Sequence, residues 1–232
     1  MQIFKITLII LFTHCVTLNA QLVNQVDDAG EKTGSWVKYF DNGKIKYEGQ
    51  FKNDKPTGKF TYYYKKGSIK TTSVFSDDGT IAHNISYYEN GKLLAEGKYV
   101  NQKKDSIWKY YLNEVLNPCI STETYVDGVL NGESITYYPD SDEVAEKVFF
   151  KSGKKNGNLL KYFPDGKLMT ESYYVDGLPD GNFTHYHPDG KVQIKGKYKN
   201  GKQVGDWKYF DENGKQVDKD EFRKQEEVKE IE

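Results

Sequence analysis

A repeat of roughly 24 residues runs through this chain, and it constrains the fold more than any other feature, because a unit recurring in tandem must bury its apolar side against its own neighbours. Aligned on a small residue ahead of an aromatic pair, the units begin at Gly34, Gly58, Ala82, Ser106, Gly132, Gly157, Gly181 and Gly205, about eight in all, at intervals of 24 to 26 residues. The best formed read GSWVKYFDNGKIKYEGQFKND from Gly34 and GNFTHYHPDGKVQIKGKYKNG from Gly181.

Each unit spells a β-hairpin. A short strand ends in the aromatic pair, as at Tyr39-Phe40, Tyr87-Tyr88, Tyr137-Tyr138, Tyr162-Phe163 and Tyr186-His187. A turn such as Asp41-Asn42-Gly43 or Pro164-Asp165-Gly166 follows, made of residues that tolerate positive φ. In the returning strand over 44–52, Ile45, Tyr47, Gly49 and Phe51 alternate with polar residues, and that period of two marks a strand with one apolar face. Two columns of rings result: Phe51, Phe75, Tyr99, Tyr125, Phe150, Tyr174 and Tyr198, and beside it Trp36, Phe60, Trp108, Leu159, Phe183 and Trp207, interrupted at Asn84 and Ser134. Gly49, Gly97 and Gly196 weaken a strand intrinsically, so a bulky ring from the neighbouring strand is expected across their bare backbone. Second turns, at 52–54 and 199–201 for example, link hairpin to hairpin. The expected fold is all-β: tandem hairpin repeats forming an elongated antiparallel meander, an open single-layer sheet on the order of 75 Å long. Trp36, Gly43, Gly49, Phe51, Trp108 and Trp207 are its structural repeat positions.

The pattern Gly-x-Trp-x-x-Tyr-(Phe/Tyr)-x-x-Gly-Lys, followed by Glu-Gly-x-(Phe/Tyr)-x-Asn-Gly, resembles the MORN repeat (membrane occupation and recognition nexus). More closely it resembles the MORN-repeat variant of bacterial YwqK-type antitoxin components of toxin–antitoxin systems. The resemblance spans about residues 34–217. It implies tandem MORN-like β-hairpins and an adaptor role in membrane binding, dimerisation or protein scaffolding, with the tyrosines, tryptophans and glycines as structural residues. The fourth unit, passing through 112–119 without a glycine turn, and the fifth, turning at Asp140-Ser141, depart from the pattern.

Residues 1–20 share nothing with the repeat. Lys5, the apolar run 6–12 and a polar stretch ending at Ala20 have the order of a cleaved export signal, with cleavage near Ala20-Gln21. The apolar run is too short to span a bilayer, which takes about 20 residues, so no transmembrane anchor is expected after signal removal. The expected location is secreted, periplasmic or cell-envelope. Removal of the signal takes Cys15 with it and leaves Cys119, which excludes an intramolecular disulfide framework. The formal charge of −1 loses Lys5, and so weak and interspersed a charge gives no reason to expect nucleic acid as partner.

No catalytic constellation stands out, so a non-enzyme with no cofactor and no metal is expected. His185 and His187 form a His-x-His pair, but His187 occupies the aromatic-pair column, where one planar side chain replaces another. Acidic residues fall in turns or on the polar face, with no pair fixed as acid and base. The leading expectation is a protein-binding or scaffold module. Its candidate contact residues are Tyr39, Tyr87, Tyr137, Tyr162 and Tyr186, on the face opposite Trp36 and Phe183, unless those rings only stiffen the sheet. An antitoxin or immunity protein binding a cognate toxin, and a glycan-binding envelope protein, are the alternatives. Domain bounds follow as 1–20 signal, 21–33 lead-in, 34–217 repeats and 218–232 a charged cap or tail. The C-terminal edge looks guarded by the charged cap and the N-terminal edge poorly protected, so either the lead-in folds back or two chains pair as a homodimer.

Overall fold

The computed structural model describes residues 22–229, with side chains described as far as Gln225; the export signal expected over 1–20 lies outside the described residues. It is a single open sheet of 17 strands. After β1 (Gln25–Val26) come the hairpins β2 (Lys32–Tyr39) with β3 (Ile45–Lys52), β4 (Lys55–Tyr63) with β5 (Ile69–Phe75), β6 (Ile81–Tyr87) with β7 (Leu93–Val100), and β8 (Lys103–Tyr111) with β9 (Cys119–Val126). The second half holds β10 (Val129–Tyr137) with β11 (Val144–Lys151), β12 (Lys154–Tyr162) with β13 (Leu168–Val175), and β14 (Leu178–Tyr186) with β15 (Val192–Lys199). It closes with β16 (Lys202–Phe210), β17 (Gln216–Val217) and the helix α1 (Lys219–Lys229). Each strand pairs antiparallel with the next in chain order, the meander that the alternation predicts.

Two kinds of turn alternate. Between units, Asn53-Asp54, Asn101-Gln102, Asp127-Gly128, Ser152-Gly153, Asp176-Gly177 and Asn200-Gly201 all have positive φ at both residues, the mark of the type I′ hairpin. After the aromatic pair the left-handed residue is the glycine alone, as at Gly43 (φ 80°), whose N–H donates to Phe40 O while Phe40 N–H donates to Lys44 O. The Asn and Asp there act otherwise than expected: the Asn42 and Asp165 side-chain oxygens accept the backbone N–H two residues on, at 3.2 and 3.1 Å.

The small residues that align the units are not strand starts. Gly34, Gly58, Ser106, Gly132, Gly157, Gly181 and Gly205 lie inside strands with φ between 61 and 139°. Except for β2, which has no unit before it, each of these strands slips in register where it meets the preceding unit, so Gln50 opposes Thr57 while Glu48 opposes Thr61. Two extra residues on one strand bulge it and add twist, and the left-handed backbone at the bulge explains the preference for glycine. Only Ala82 lacks positive φ, and there β5 and β6 pair without a slip from Thr71–Ser86 to Phe75–Ala82.

The ring columns stand on one face. Phe60 and Trp108 are each 2% exposed, and Phe60 packs edge-on to Phe51 and Phe75 with centroids 5.2 and 5.3 Å apart. Phe60 lies over Gly49, Trp108 over Gly97 and Trp207 over Gly196, so close that a Cβ would fall 2.3–2.4 Å from ring carbons. The second ring of the aromatic pair ties unit to unit: the hydroxyls of Tyr64, Tyr88 and Tyr138 donate to the carbonyls of Tyr87, Tyr111 and Tyr162 at 2.6–2.8 Å. His187, in the same column, takes over this role through Nε2 to Phe210 O at 3.1 Å. The lysine after the turn glycine does likewise, Lys44 to Lys66 O and Lys191 to Glu212 O. Each such bond contributes about 1 kcal/mol net, and all of them join neighbouring units.

At the N-terminal edge the structure takes the first of the two expected courses, and at the C-terminal edge the cover is smaller than the charges suggested. At the N-terminus the lead-in folds back: Gln25 and Val26 pair with Thr33 and Lys32, Asn24 N–H donates to Ser35 O, and the Asn24 side chain accepts Val37 N–H at 2.8 Å. Trp36 Nε1 donates to Gln25 O. At the C-terminus Asp218 accepts the N–H groups of Asp220 and Glu221, caps α1 and so diverts the returning strand after two residues. Phe222 packs on Tyr209 with centroids 5.3 Å apart, but among the described residues no strand pairs with the outer side of Lys202–Lys208. Trp207 Nε1 is buried there without a partner, whereas Trp108 Nε1 reaches Lys98 O. A chain beginning at Lys32 should therefore lose at least about 3 kcal/mol, about 1 kcal/mol for each of the three hydrogen bonds to Asn24 and Gln25 named above besides the β1–β2 ladder, and associate through the bared β2 edge. Sedimentation and urea unfolding at tens of micromolar check this, and an unchanged, equally stable monomer would contradict it. No described helix is long and apolar enough to cross a membrane.

Candidate partner-binding surface

Neighbouring residues of a strand point to opposite faces, so beside the ring face the sheet presents a second one, built from the positions between the ring residues. Ion pairs cross it, Lys109 with Glu96 at 3.3 Å and Lys98 with Asp105 at 3.1 Å. Tyr111 donates to Glu96 at 2.7 Å, an interaction that lowers the Glu96 carboxyl while burial, first, and this bond raise the Tyr111 hydroxyl. Tyr63 makes the same bond to Glu48, which places the first ring of the aromatic pair on this second face.

Of the five tyrosines singled out above, Tyr39 is 55% exposed, while Tyr87, Tyr137, Tyr162 and Tyr186 are half-buried. They recur at the last position of β2, β6, β10, β12 and β14, and the carbonyls of Tyr87 and Tyr162 take part in the inter-unit ladder.

A groove recurs on the same face. Near β5–β8 it holds about 670 Å³, with Val74, His83 and Ile107 in its lining; near β10–β13, about 490 Å³ with Phe149, Asn158 and Tyr173; and near β14–β16, about 420 Å³ with Lys197, Val204 and Asp206. Val74, Phe149, Tyr173 and Lys197 occupy matching positions of different units, and so do His83, Ile107, Asn158 and Asp206. Val74, Ile107, Phe149 and Tyr173 are 43–58% exposed, large apolar groups with no intramolecular cover. Reading the sequence for alternation passes over them, although the doublets Val74-Phe75, Phe149-Phe150 and Tyr173-Tyr174, which place an apolar residue on each face, are the signal that finds them.

Among the described residues the ionisable groups show no poised acid. Where a carboxyl is displaced it is displaced downward: Asp78 to about 2 by hydrogen bonds from Ser76 and Thr80, and Asp105, Asp165, Asp180 and Asp189 lowered by hydrogen bonds from serine, lysine or backbone. A general acid needs the opposite shift. His185 Nδ1 meets Thr170 at 2.8 Å while His187 reaches Phe210 O, and among the described residues no three His, Cys, Asp or Glu side chains gather as a metal site. Cys119 is a half-buried free thiol whose pKa is raised by burial.

The family model described as MORN repeat variant matches residues 32–53, 83–101, 155–176, 179–200 and 203–215. No curated protein matches the chain. Among solved structures, a chain of the crystal structure of TcdB2-TccC3 is similar over 75% of this chain, at 12% identity and a TM-score of 0.22; the similarity spans only 12% of that chain. The five matched stretches fall on the first, third, sixth, seventh and eighth units; the second unit is passed over along with the fourth and fifth, in which the glycine turn is replaced.

Proposed function

Because the chain belongs to the MORN repeat variant family, we propose that it works as a non-enzymatic protein-binding scaffold outside the cytoplasm, holding its partner along the face opposite the ring columns. The recurring groove carries this reading. Apolar side chains left 43–58% exposed at matching positions on that face, rimmed by ion pairs, have the composition of a protein contact site rather than of an isolated surface residue. Tyr39, Tyr87, Tyr137, Tyr162 and Tyr186, at the strand ends of the same face, would add amphipathic rings to the contact. The export signal read in residues 1–20 supports the location.

A photo-cross-linking residue placed at Ile107 or at Phe149 in the producing cell, and at Ser121 on the ring face as comparison, tests the proposal. The same discrete protein adduct is expected from the first two positions and from an envelope or secreted fraction. Absence of any discrete adduct, an adduct from Ser121 alone, or recovery of the protein in the cytosol with residues 1–20 intact would overturn it.

A further inference from the structure

The β5–β6 junction departs from the repeat at several independent points, and together they open a pocket of about 340 Å³ on the ring face. The bulge is missing at Ala82, and the two-residue turn is replaced by the longer turn of residues 76–80, where Ser76 N–H donates to Ile81 O. Thr80 stands where Lys32 and Lys104 elsewhere lie over rings, Lys104 Nζ at 4.7, 5.0 and 4.9 Å from those of Trp108, Tyr110 and Tyr125. Asn84 stands where the other units place Trp36, Phe60, Trp108, Leu159, Phe183, Trp207 or Ser134. Phe75 and Tyr99 wall the pocket, and Ser73 and Asn84, 5% and 7% exposed, line its floor.

A second copy of this frame, with its ring present, lies in the same molecule. Phe183 sits opposite Ser172 on one side and Gly196 on the other, as Asn84 sits opposite Ser73 and Gly97. Phe183 packs against Tyr198 at 5.8 Å and Trp207 at 5.4 Å, and those two rings meet edge-on at 5.0 Å and 79°. Tyr99 and Trp108, their counterparts beside Asn84, meet at 4.8 Å and 71° with no ring between them and the floor. The frame is built and its ring is missing. In its place the Asn84 carboxamide accepts from Ser73 at 2.9 Å and donates to Ser86 at 3.0 Å. A carboxamide offers two N–H donors and two acceptor lone pairs, so these bonds leave one of each.

We propose that this pocket is a binding site for an aromatic side chain of a partner protein, a tyrosine in preference, whose ring completes the column between Phe75 and Tyr99 and whose hydroxyl meets the Asn84 carboxamide. The site lies on the opposite face from the groove and stands whether or not the groove holds a partner. The test is a titration of the whole chain with N-acetyltyrosinamide, N-acetylphenylalaninamide and methyl glucoside, followed by NMR at the Asn84 side chain, Ser73 and Tyr99. Saturable shifts are expected with the tyrosine amide, at least threefold weaker binding with the phenylalanine amide, and none with the glucoside. Asn84→Phe, copied from the Phe183 frame, should abolish the shifts without lowering the melting temperature. Should that variant fold poorly, Thr80→Lys, copied from Lys104, should close the mouth to the same effect. No saturable shift with either aromatic amide, shifts that survive in a folded variant, or equal binding of the glucoside would overturn the proposal.

Discussion

Gly97→Val is expected to cost about 3 kcal/mol in the native protein, and about 1–3 kcal/mol less when it is made in a Trp108→Leu background. Even the first carbon of a side chain at Gly97 would fall 2.3 Å from Trp108 Cδ2, well inside contact distance. The indole cannot swing away: it is 2% exposed, holds Lys98 O through Nε1 at 3.0 Å and packs edge-on to Tyr99. Overpacking of this kind costs about 1–3 kcal/mol, and more when the neighbour is locked. Trp108→Leu alone leaves a cavity over the bare glycine and should cost about 2–3 kcal/mol. The chain already contains the combined solution, for Val148 lies directly opposite Leu159 at the matching place in the sixth unit. The double variant should therefore be more stable than the sum of the single changes by about 1–3 kcal/mol, the range of coupling between touching residues. Urea unfolding of the four proteins measures it, and strict additivity would show that ring and glycine are not packed as a pair.

Removing a whole unit should do far less harm than removing one residue. Deletion of 158–181 joins Gly157 to Asn182 and brings Phe183 into the place of Leu159. Both flanking glycines carry the left-handed bulge, with φ of 106 and 139°, and both oppose a ring, Tyr174 or Tyr198. Where the cut falls matters: taking out 58–81 instead would join Thr57 to Ala82 and put an unbulged residue where Gly58 belongs. Since inter-unit bonds reach only the adjacent unit, the shortened chain should unfold in one cooperative transition, with an m-value reduced by about the unit's share of the exposed surface. Deletion of Glu171 alone inverts one strand instead, driving Ser172 and Tyr174 to the wrong face of β13. Circular dichroism and urea titration of the two proteins separate the cases. Comparable stability of the two, or loss of cooperative unfolding in the first, would mean that the units are not independent.

Much of this molecule is a local affair, and that is why it was legible from residues alone. Strand alternation, the Asn-Gly and Asp-Gly turns and the ring columns recur every 24 to 26 residues, and a meander pairs each strand with its neighbour in the chain, so register follows from turn length. The bare glycines are a local signal too, because only a close ring explains a residue that weakens its own strand. What escaped was set by pairings that a strand makes with something outside its own hairpin. The left-handed bulge at Gly58 depends on where β4 slips against the previous unit, and nothing in the composition of β4 announces it. Which edge is open depended on Asn24 reaching Val37 at one end and on Asp218 starting a helix at the other, which charge counts alone could not decide. The interruption at Asn84 was visible as a missing ring; only the three-dimensional frame of Phe75, Tyr99 and Trp108 made it a pocket, because a void is a property of the neighbours that fail to fill it.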